Sequence, residues 1–453
     1  MMVNSMDIQI LAQIFIVIIL LITIIFFMFE NIDKTKTAFV GSLLAMLIFL
    51  FLVFQNNDEF KDENFLEFTS HFVNVEAIIV IFSIGIIVVL TKKAGFFDLI
   101  SLYLIKFTKG NQRKLFVVLG GITFLISMFF DNLSAIILLG SLTIIICKEV
   151  EVNPIPFILY VGINTVLGGI PTPVSSIPNI IYYSEYSQIN FIQFMGFMLP
   201  VSILFFLITT GYFFIIFRKD LFKKVTDEKK EQIMRINPWS GIEDRKDIWR
   251  AVTLLSLLFG GFLLTSIPAN PLDVAFVALI VAIIGIYIFR EKLKEIVEEG
   301  IEWQMIVFFI CLFVLMGVLN ASGALQPLTN LFKNILGNEV TPLNETFVSL
   351  IIGSVGFIVI GVITVVPSAV IFAQIFHSLE VSSVGLWLSF VLTGNIAGSL
   401  LPISSATILM ALEILKTEKI KFNIKSYFKY LLPITLLLQV IGIAFSILII
   451  YLF

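Results

Sequence analysis

Charged residues are scarce in this sequence, and long apolar runs are abundant. Aspartate, glutamate, lysine and arginine make up 13% of the 453 residues, whereas hydrophobic residues make up 58%. A soluble chain of this length needs far more charge to cover its surface, so the composition excludes a soluble globular protein and indicates a polytopic membrane protein. The net charge of −3 gives no indication of a nucleic-acid partner. The expected partners are membrane lipids and a small inorganic or organic ion.

Cysteine and histidine are equally scarce, with two of each. Cys147 and Cys311 lie in different halves, within or beside apolar runs, which suits neither a disulfide framework nor a metal site. His71 and His377 fall at predicted outer edges of the membrane, where a proton relay is not expected. No serine is paired with a basic residue, so the sequence supplies no catalytic pair. We therefore expect neither an enzyme nor a bound cofactor.

The apolar runs predict the membrane crossings, because a helix needs roughly 20 residues to span the hydrocarbon. The candidate full crossings are Ile8–Phe29, Thr37–Phe54, Val75–Thr91, Phe191–Phe217, Trp249–Ile267, Leu272–Phe289, Trp303–Leu319 and Tyr427–Leu452. Other apolar stretches are too long for one crossing and carry polar residues halfway along. We interpret Leu115–Cys147 and Thr346–Phe376 as re-entrant hairpins, and Phe157–Tyr183 and Val384–Leu415 as broken but complete crossings.

Loop charges agree with this arrangement. With both hairpins returning to their starting side, every basic cluster falls on one face, as the positive-inside rule requires. The acidic loop that begins at Asp58 and the loop from Tyr183 to Asn190 fall on the other face. Both termini are then extracytoplasmic, in a multi-pass protein of the cell membrane. The predicted domains are a first repeat at 1–217, a basic cytoplasmic linker at 218–248 and a second repeat at 249–453.

One motif occurs twice, as Pro173-Val174-Ser175-Ser176 and as Pro402-Ile403-Ser404-Ser405. A Leu-Pro pair follows each copy, at Leu199-Pro200 and at Leu432-Pro433. Paired interrupted helices in matching positions of two halves indicate the binding site of a secondary transporter. The predicted fold class is an all-α polytopic membrane protein with two inverted-topology repeats. Each repeat has five crossings, one re-entrant hairpin and one broken helix.

The broken stretches carry groups that can bind ions. Prolines remove hydrogen-bond donors and glycines relax the chain, so the segment from Leu167 to Pro173 cannot stay a regular helix. Its freed carbonyls, with the hydroxyls of Thr172, Ser175 and Ser176, suit Na⁺, whereas freed N–H groups suit an anion or a polar neutral solute. A kink satisfied by neighbouring hydroxyls is the alternative. The second copy offers Asn395, Gly398, Ser399, Ser404, Ser405 and Thr407.

Asp131 is the acidic residue that the arrangement places at mid-membrane depth. A carboxylate there is costly and functional by default, so it is expected to accept a proton or to coordinate Na⁺. The alternative is a hydrogen-bond anchor for the tip of the hairpin, next to Asn132. No lysine or arginine falls in the core of a predicted span. An anion would therefore be held by helix ends, hydroxyls, amides and co-bound Na⁺ rather than by a fixed positive side chain.

At these residues the chain resembles the ion transporter superfamily, in the branch of arsenite permeases and NhaD-type sodium–proton antiporters, with citrate and dicarboxylate carriers more distant. The resemblance rests on Asp131-Asn132, Gly168-Gly169, Thr172 and Pro178-Asn179, among others. It implies two hairpins and two unwound helices that meet at a central site, alternating access, and often a homodimer. The chain departs from the family pattern at Val166, where an asparagine is usual, and at Thr364-Val365-Val366-Pro367, where Asp-Asn often precedes the proline. The loss of that Asp-Asn pair leaves the substrate open.

These observations predict a secondary active transporter of an anion or a metalloid oxyacid, coupled to Na⁺ or H⁺. A Na⁺/H⁺ antiporter is the alternative, and a channel is less favoured because paired broken helices suit a gated central site. Na⁺ is expected at Asp131, Thr172, Ser175 and Ser404. The candidate substrate- and ion-binding residues are Asp131, Asn132, Asn164, Gly168, Gly169, Thr172, Ser175, Ser176, Asn179, Thr364, Ser368, Asn395, Ser399, Ser404, Ser405 and Thr407.

Overall fold

The structure of the protein is a computed structural model, and it consists of helices joined by turns and short loops. It describes residues 5–27, 29, 32–56, 64–109, 111–186, 189–221, 237–239, 242, 244–267, 272–290, 293–301, 303–337, 341–379, 381, 383–420 and 422–452. Within these residues there is no β-strand, and nine helices are long and apolar enough to cross a membrane. The predicted all-α polytopic membrane class is therefore confirmed. Most of the acidic loop, residues 57–63, and residues 222–236 of the predicted linker lie outside the described residues.

The helices of the first half follow the apolar runs. They are α1 (Ser5–Phe27), α2 (Lys34–Ile48), α3 (Phe65–Ser70), α4 (Val75–Lys93), α5 (Phe96–Thr108), α6 (Gln112–Ser127), α7 (Asn132–Val150), α8 (Pro154–Gly168), α9 (Ile177–Glu185), α10 (Phe191–Ile216) and α11 (Arg218–Leu221). A π-helical turn, Phe49–Val53, and a 3₁₀ turn, Phe54–Asn56, extend α2.

The helices of the second half follow in a similar order. They are α12 (Arg245–Leu264), α13 (Val274–Phe289), α14 (Leu293–Gly300), α15 (Trp303–Ala321), α16 (Gln326–Leu336), α17 (Pro342–Ile351), α18 (Phe357–Ile363), α19 (Val365–Ser378), α20 (Val384–Ala397), α21 (Ala406–Thr417), α22 (Ile424–Tyr430) and α23 (Leu432–Leu452). A π-helical turn, Ile352–Gly356, joins α17 to α18.

Local sequence sets most of the helix starts. A side-chain oxygen just before the first turn accepts a backbone N–H that has no partner inside the helix, which stabilises a helix by about 1 kcal/mol. Asn74 does this for α4, where it accepts from the N–H of Ala77 at 2.9 Å. Asn190 forms a reciprocal capping box with Gln193 at the start of α10. The helices therefore begin at short polar residues that interrupt the apolar runs.

The two predicted hairpins are pairs of packed helices. In the first, α6 and α7 contact each other and both contact α8, and Asp131 is the cap between them. In the second, α17 and α18 lead to Thr364, and α19 begins at the next residue. Both turns fall at the polar residues that the sequence places halfway along each stretch. How deeply the tips lie in the membrane stays a prediction.

The two predicted broken helices are interrupted at the repeated motif, as predicted. The first is α8 and α9, separated by residues 169–176, and the second is α20 and α21, separated by residues 398–405. The first unwound segment is buried and the second is buried or half-buried, which is tolerable in a membrane protein when the backbone is packed in protein or lines a cavity.

Helices of the two halves pack crosswise. Helix α2 packs on α15 and α4 packs on α13, so each half supplies one partner of each pair. The half-helix after each break packs on the hairpin of the other half, α9 on α19 and α21 on α7. Each of these contacts has a counterpart in which the two halves are exchanged. That the halves are two repeats stays a prediction.

Contacts between distant segments join loops that the charge pattern assigns to the same face. Lys148 at the end of α7 forms an ion pair with Glu418 after α21, with Nζ and Oε2 2.6 Å apart. At the predicted opposite face, Asn74 donates from Nδ2 to Ser184 Oγ at 2.6 Å. The internal packing thus agrees with the predicted arrangement of loops on two faces.

Candidate functional site

A cavity of about 320 Å³ lies where the two unwound segments and the two hairpin tips meet. Half of the predicted site residues line it. Asp131, Asn132 and Thr364 come from the hairpin tips. The unwound segments and the helices next to them contribute Ser176, Asn395, Ser404, Ser405 and Thr407. The other predicted residues are not among those that line it, namely Asn164, Gly168, Gly169, Thr172, Ser175, Asn179, Ser368 and Ser399.

The first unwound segment is fixed by one of its own side chains and by Asn179 in the first turn of α9. Asn179 donates from Nδ2 to the carbonyl oxygens of Gly169 and Thr172, each at 2.9 Å, and to that of Ile170 at 3.2 Å. Ser175 donates from Oγ to the Gly169 carbonyl at 2.6 Å. Unsatisfied backbone carbonyls are costly in a buried site, so these bonds stabilise the break. Here Asn179 and Ser175 hold the backbone behind the cavity wall.

A hydroxyl group fastens each unwound segment to the hairpin of its own half. Thr172 Oγ1 donates to the carbonyl of Met128, at the end of the first arm of one hairpin. Ser404 Oγ donates to the carbonyl of Gly361, close to the tip of the other hairpin. The two bonds come from different positions of the repeated motif, but each joins a break to the hairpin of its own half. They fix each hairpin tip against the neighbouring break, which keeps both tips at the cavity.

Buried oxygen atoms near the first break suit a hard cation such as Na⁺. Among the described residues, the buried oxygens without a hydrogen-bond partner include Asn132 Oδ1, Asn164 Oδ1, Ser127 Oγ and Ser176 Oγ. No group of three or more His, Cys, Asp or Glu side chains that could hold a metal ion occurs in the described part of the chain. A cation would therefore take amide, hydroxyl and carbonyl oxygens, with Asp131 as the available carboxylate.

Asp131 has a structural contact as well as a place in the cavity wall. Its Oδ1 accepts from the N–H groups of Leu133 and Ser134, both at 3.0 Å, and caps α7. Its side chain lines the cavity and is 9% exposed. The other predicted Na⁺ ligands, Thr172, Ser175 and Ser404, all donate their hydroxyl groups to carbonyls, and only Ser404 among them lines the cavity.

Four helices of the hairpins and broken helices begin at the cavity. The first residues of α7, α9, α19 and α21 all line it, namely Asn132, Ile177, Val365 and Ala406. Each helix start carries partial positive charge from the aligned peptide dipoles and from N–H groups without helical partners. Two of these starts, those of α9 and α19, have no side-chain cap. The cavity therefore has donors and positive potential for an anion, although few charged side chains reach it.

Thr364, at the tip of the second hairpin, has strained backbone. Its φ of 88° and ψ of 154° lie in a region that is occupied almost only by glycine. A β-branched residue in such a region costs roughly 1–3 kcal/mol and persists only when the surroundings hold it. Ser368 Oγ donates to its carbonyl at 2.9 Å, and the N–H of Val365 reaches the Ser404 carbonyl at 3.3 Å. The strain is therefore concentrated at a residue that lines the cavity.

A direct hydrogen bond joins the two broken helices. Asn395 donates from Nδ2 to Asn179 Oδ1 at 2.7 Å and also to the carbonyl of Val391 at 2.8 Å. The bond is buried, and the two residues are far apart in the sequence. Sequence analysis assigned Asn179 and Asn395 to opposite halves of the site, and the structure brings them into contact.

A double-mutant cycle tests this link. We expect Asn179→Ala and Asn395→Ala to be non-additive by about 0.5–3 kcal/mol in the free energy of unfolding, because one hydrogen bond is lost in either variant. The free energies of unfolding of the two single variants and the double variant are measured in mixed detergent micelles. Asn153 caps the far end of α8 and has no contact with Asn395, so a cycle of Asn153→Ala with Asn395→Ala should be additive. Additive behaviour in both cycles would contradict the link.

The cavity also has a wall that sequence analysis did not predict. It is formed by α1, α2 and α15, through Phe27, Lys34, Thr35, Gln304, Met305, Phe308 and Phe309. Lys34 lines the cavity from the first residue of α2, so a positive side chain is present in this wall, where the sequence predicted none. No local signal identifies these residues, because the contact of α2 with α15 joins segments from different halves.

Comparison with known proteins indicates the family. The family model described as a citrate transporter matches residues 24–393. A 46 kDa membrane protein from Mycobacterium leprae is 23% identical over 393 residues, which cover 86% of this chain and 87% of that protein. An uncharacterized transporter from Mycobacterium tuberculosis is 24% identical over 356 residues, or 76% and 79% of the two chains. The human P protein is 21% identical over 64% of this chain, but only 42% of its own length is matched.

The fold is similar to that of a solved transporter. The crystal structure of the Alcanivorax borkumensis YdaH transporter superposes with a TM-score of 0.58 and covers 98% of both chains. The sequence identity is 14%, so this likeness concerns the fold alone.

Proposed function

This chain belongs to the citrate transporter family, and we propose that it is a secondary active transporter of organic carboxylate anions coupled to Na⁺ or H⁺. The proposal depends mainly on one observation, which is that four helix N-termini of the hairpins and broken helices meet at a single cavity. Two of them lack a side-chain cap. Apart from Pro178 and Pro367, which carry no N–H, and Val365, whose N–H reaches the Ser404 carbonyl, the N–H groups of their first turns can donate to carboxylate oxygens. A carboxylate fits this arrangement because it accepts hydrogen bonds and carries the complementary charge.

Ser176 supplies a further hydrogen-bond donor. Its Oγ has no partner, the side chain is 3% exposed, and the residue lines the cavity at the start of α9. A buried hydroxyl without a partner is costly unless a ligand or water satisfies it. In the proposed complex, Ser176 donates to the bound anion next to the uncapped end of α9.

The proposed coupling ion binds at Asp131. A carboxylate in the wall of an anion site repels the substrate unless a proton or a cation neutralises it. Substrate and coupling ion then favour each other's binding, which is the requirement for coupled transport. Asn132 Oδ1, a buried acceptor without a partner, is the next residue along the chain and adds a ligand for Na⁺.

Two groups of helices contribute to the cavity, and this supports alternating access. The hairpins and broken helices form one side, whereas α1, α2 and α15 form the other. We propose that the first group of helices moves against the second. We also propose that the halves 1–217 and 249–453 are inverted repeats joined by the linker 218–248. With the predicted orientation, the Lys34 side of the cavity faces the cytoplasm of the cell.

Membership in this family favours carboxylates over the arsenite permease and NhaD-type branch. Na⁺/H⁺ antiport is the second candidate function, because Asp131 is a buried carboxylate in a cavity. Reconstituted protein separates the two. Citrate or succinate uptake driven by a Na⁺ or pH gradient supports the proposal, whereas Na⁺/H⁺ exchange without uptake of any anion supports the second candidate. Uptake that does not depend on either gradient would indicate a channel.

Replacement of Ser176 tests the binding geometry. We expect Ser176→Ala to raise the KM for citrate roughly tenfold, because a hydrogen bond to a charged group contributes about 1.5–3 kcal/mol. Initial rates of labelled citrate uptake into proteoliposomes measure this change. Ser202→Ala is the matched control, since Ser202 Oγ is also buried without a partner but the residue does not line the cavity. Equal effects of the two substitutions would exclude a direct role of Ser176.

A further inference from the structure

Lys34 lies at the outer edge of the cavity. It is the first residue of α2, it is half-buried, and it lines the cavity together with Thr35 and Gln304. Thr35 Oγ1 donates to the carbonyl of Gln304 at 3.2 Å, which holds the start of α2 against the start of α15. Gln304 is exposed, so the cavity reaches the surface at this point. We call Lys34, Thr35 and Gln304 the cavity mouth.

Lys34 and Lys36 lie in the same helical turn, and the Asp33 carboxylate forms an ion pair with Lys36. Asp33 Oδ1 accepts from the N–H groups of Thr35 at 2.9 Å and Lys36 at 3.1 Å, and it caps α2. Asp33 Oδ2 lies 3.8 Å from Lys36 Nζ, and the Lys36 side chain is 85% exposed. Lys36 is not among the residues that line the cavity, whereas Lys34 is. Two lysines in one helical turn thus have different surroundings, and only Lys34 faces the site.

The charges around the cavity are few. In the part of the chain that the structure describes, Lys34 is the only cationic side chain that lines it, and Asp131 is the only carboxylate. A lysine in the first turn of a helix is disfavoured by the helix dipole. The uncapped ends of α9 and α19 carry only partial charges. These helix ends suit one carboxylate group of a substrate, and the full charge of the Lys34 ammonium group suits a second carboxylate group.

We propose that Lys34 is the residue that selects multiply charged carboxylates, by attracting the carboxylate group that points to the cavity mouth. This inference rests on the proposed function, and it specifies the substrate class as dicarboxylates and tricarboxylates. The ammonium group acts by electrostatic attraction, so its contribution grows with the charge of the anion. Lys34 contributes to binding, and it takes no part in coupling to the cation.

Substitution of the two lysines tests this inference. We expect Lys34→Gln to raise the KM for citrate about tenfold while the maximal rate stays within about twofold, because the lost attraction acts on binding. The increase should be smaller for succinate and smallest for a monocarboxylate such as propionate. Lys36→Gln should leave all of these values unchanged. Initial uptake rates in proteoliposomes at low salt give the values, and high salt should reduce the difference between wild type and Lys34→Gln.

A second variant separates loss of charge from loss of folding. Lys34→Cys can be modified with a reagent that adds an aminoethyl group, which restores a positive charge, or with one that adds a methyl group, which does not. The native cysteines, Cys147 and Cys311, are both buried, so the new thiol is the accessible one among the described residues. Recovery of the citrate KM with the aminoethyl reagent alone is the expected result. Equal recovery with both reagents, or with neither, would overturn the inference.

The outcomes also distinguish this inference from the proposed function. If the wild type transports carboxylates and Lys34→Gln keeps their KM values and their order, the role of Lys34 is excluded and the proposed function stands. If the wild type transports no carboxylate under any gradient, both fail. Lys34→Arg should behave like the wild type, because it keeps the charge.

Discussion

The Asp131→Asn variant is expected to fold normally and to lose at least about 100-fold of its cation-dependent citrate uptake, since an intramembrane carboxylate is retained for its charge. An asparagine keeps an Oδ1 atom that can accept from the N–H groups of Leu133 and Ser134, so the cap of α7 survives. The negative charge is lost, and that charge is required to attract Na⁺ or a proton into the cavity. Uptake into proteoliposomes with and without a Na⁺ or pH gradient measures the loss.

Two further variants separate charge from capping. Asp131→Ala removes both, so it should also lower the stability of the fold by about 0.5–2 kcal/mol. Asp244 caps α12 by accepting from the N–H of Lys246 at 2.8 Å, and it does not line the cavity. Asp244→Asn should therefore leave transport unchanged. Wild-type uptake and cation dependence in Asp131→Asn would show that Asp131 serves only as the anchor of the hairpin tip.

The Gly168→Ala variant is expected to be clearly less stable to heat in detergent than the wild type. A Cβ atom on Gly168 would overlap the carbonyl oxygen of Phe124 and lie 2.9 Å from the Phe124 Cα and the Ser127 Cβ. The main obstacle is backbone of α6, which cannot rotate away, so α8 would have to separate from the first hairpin. Overpacking of this kind costs typically about 1–3 kcal/mol and occasionally more. Size-exclusion profiles recorded after heating measure the change in thermal stability.

Gly211→Ala is the matched control for this substitution. Gly211 lies inside α10, and a Cβ atom there would meet nothing within 4 Å. The control should be neutral or slightly stabilising, because alanine favours a helix over glycine by about 1 kcal/mol. Gly168 is the last residue of α8, where this gain is smaller, so a loss of thermal stability in Gly168→Ala alone indicates the clash. Similar melting temperatures for both would mean that α8 and α6 are not packed as described.

The sequence by itself determined the features that depend on local chemistry. Apolar runs are long enough to predict the crossings, and the described helices follow them. The prolines and glycines between Leu167 and Pro173 predict the first break, because they remove N–H donors and loosen the backbone wherever the chain runs. The same holds for the second copy of the motif. Caps such as Asn74 set helix starts for a similar reason, since the partner atoms are only a few residues away.

Tertiary structure alone decided which polar groups face the cavity. Ser175 and Ser176 are neighbours in one motif, yet the first is bonded to backbone and the second lines the cavity without a partner. The bond between Asn179 and Asn395 and the place of Lys34 depend on contacts between the two halves, which no local pattern encodes. Binding requires several groups to meet at one point, and that meeting is a property of long-range packing.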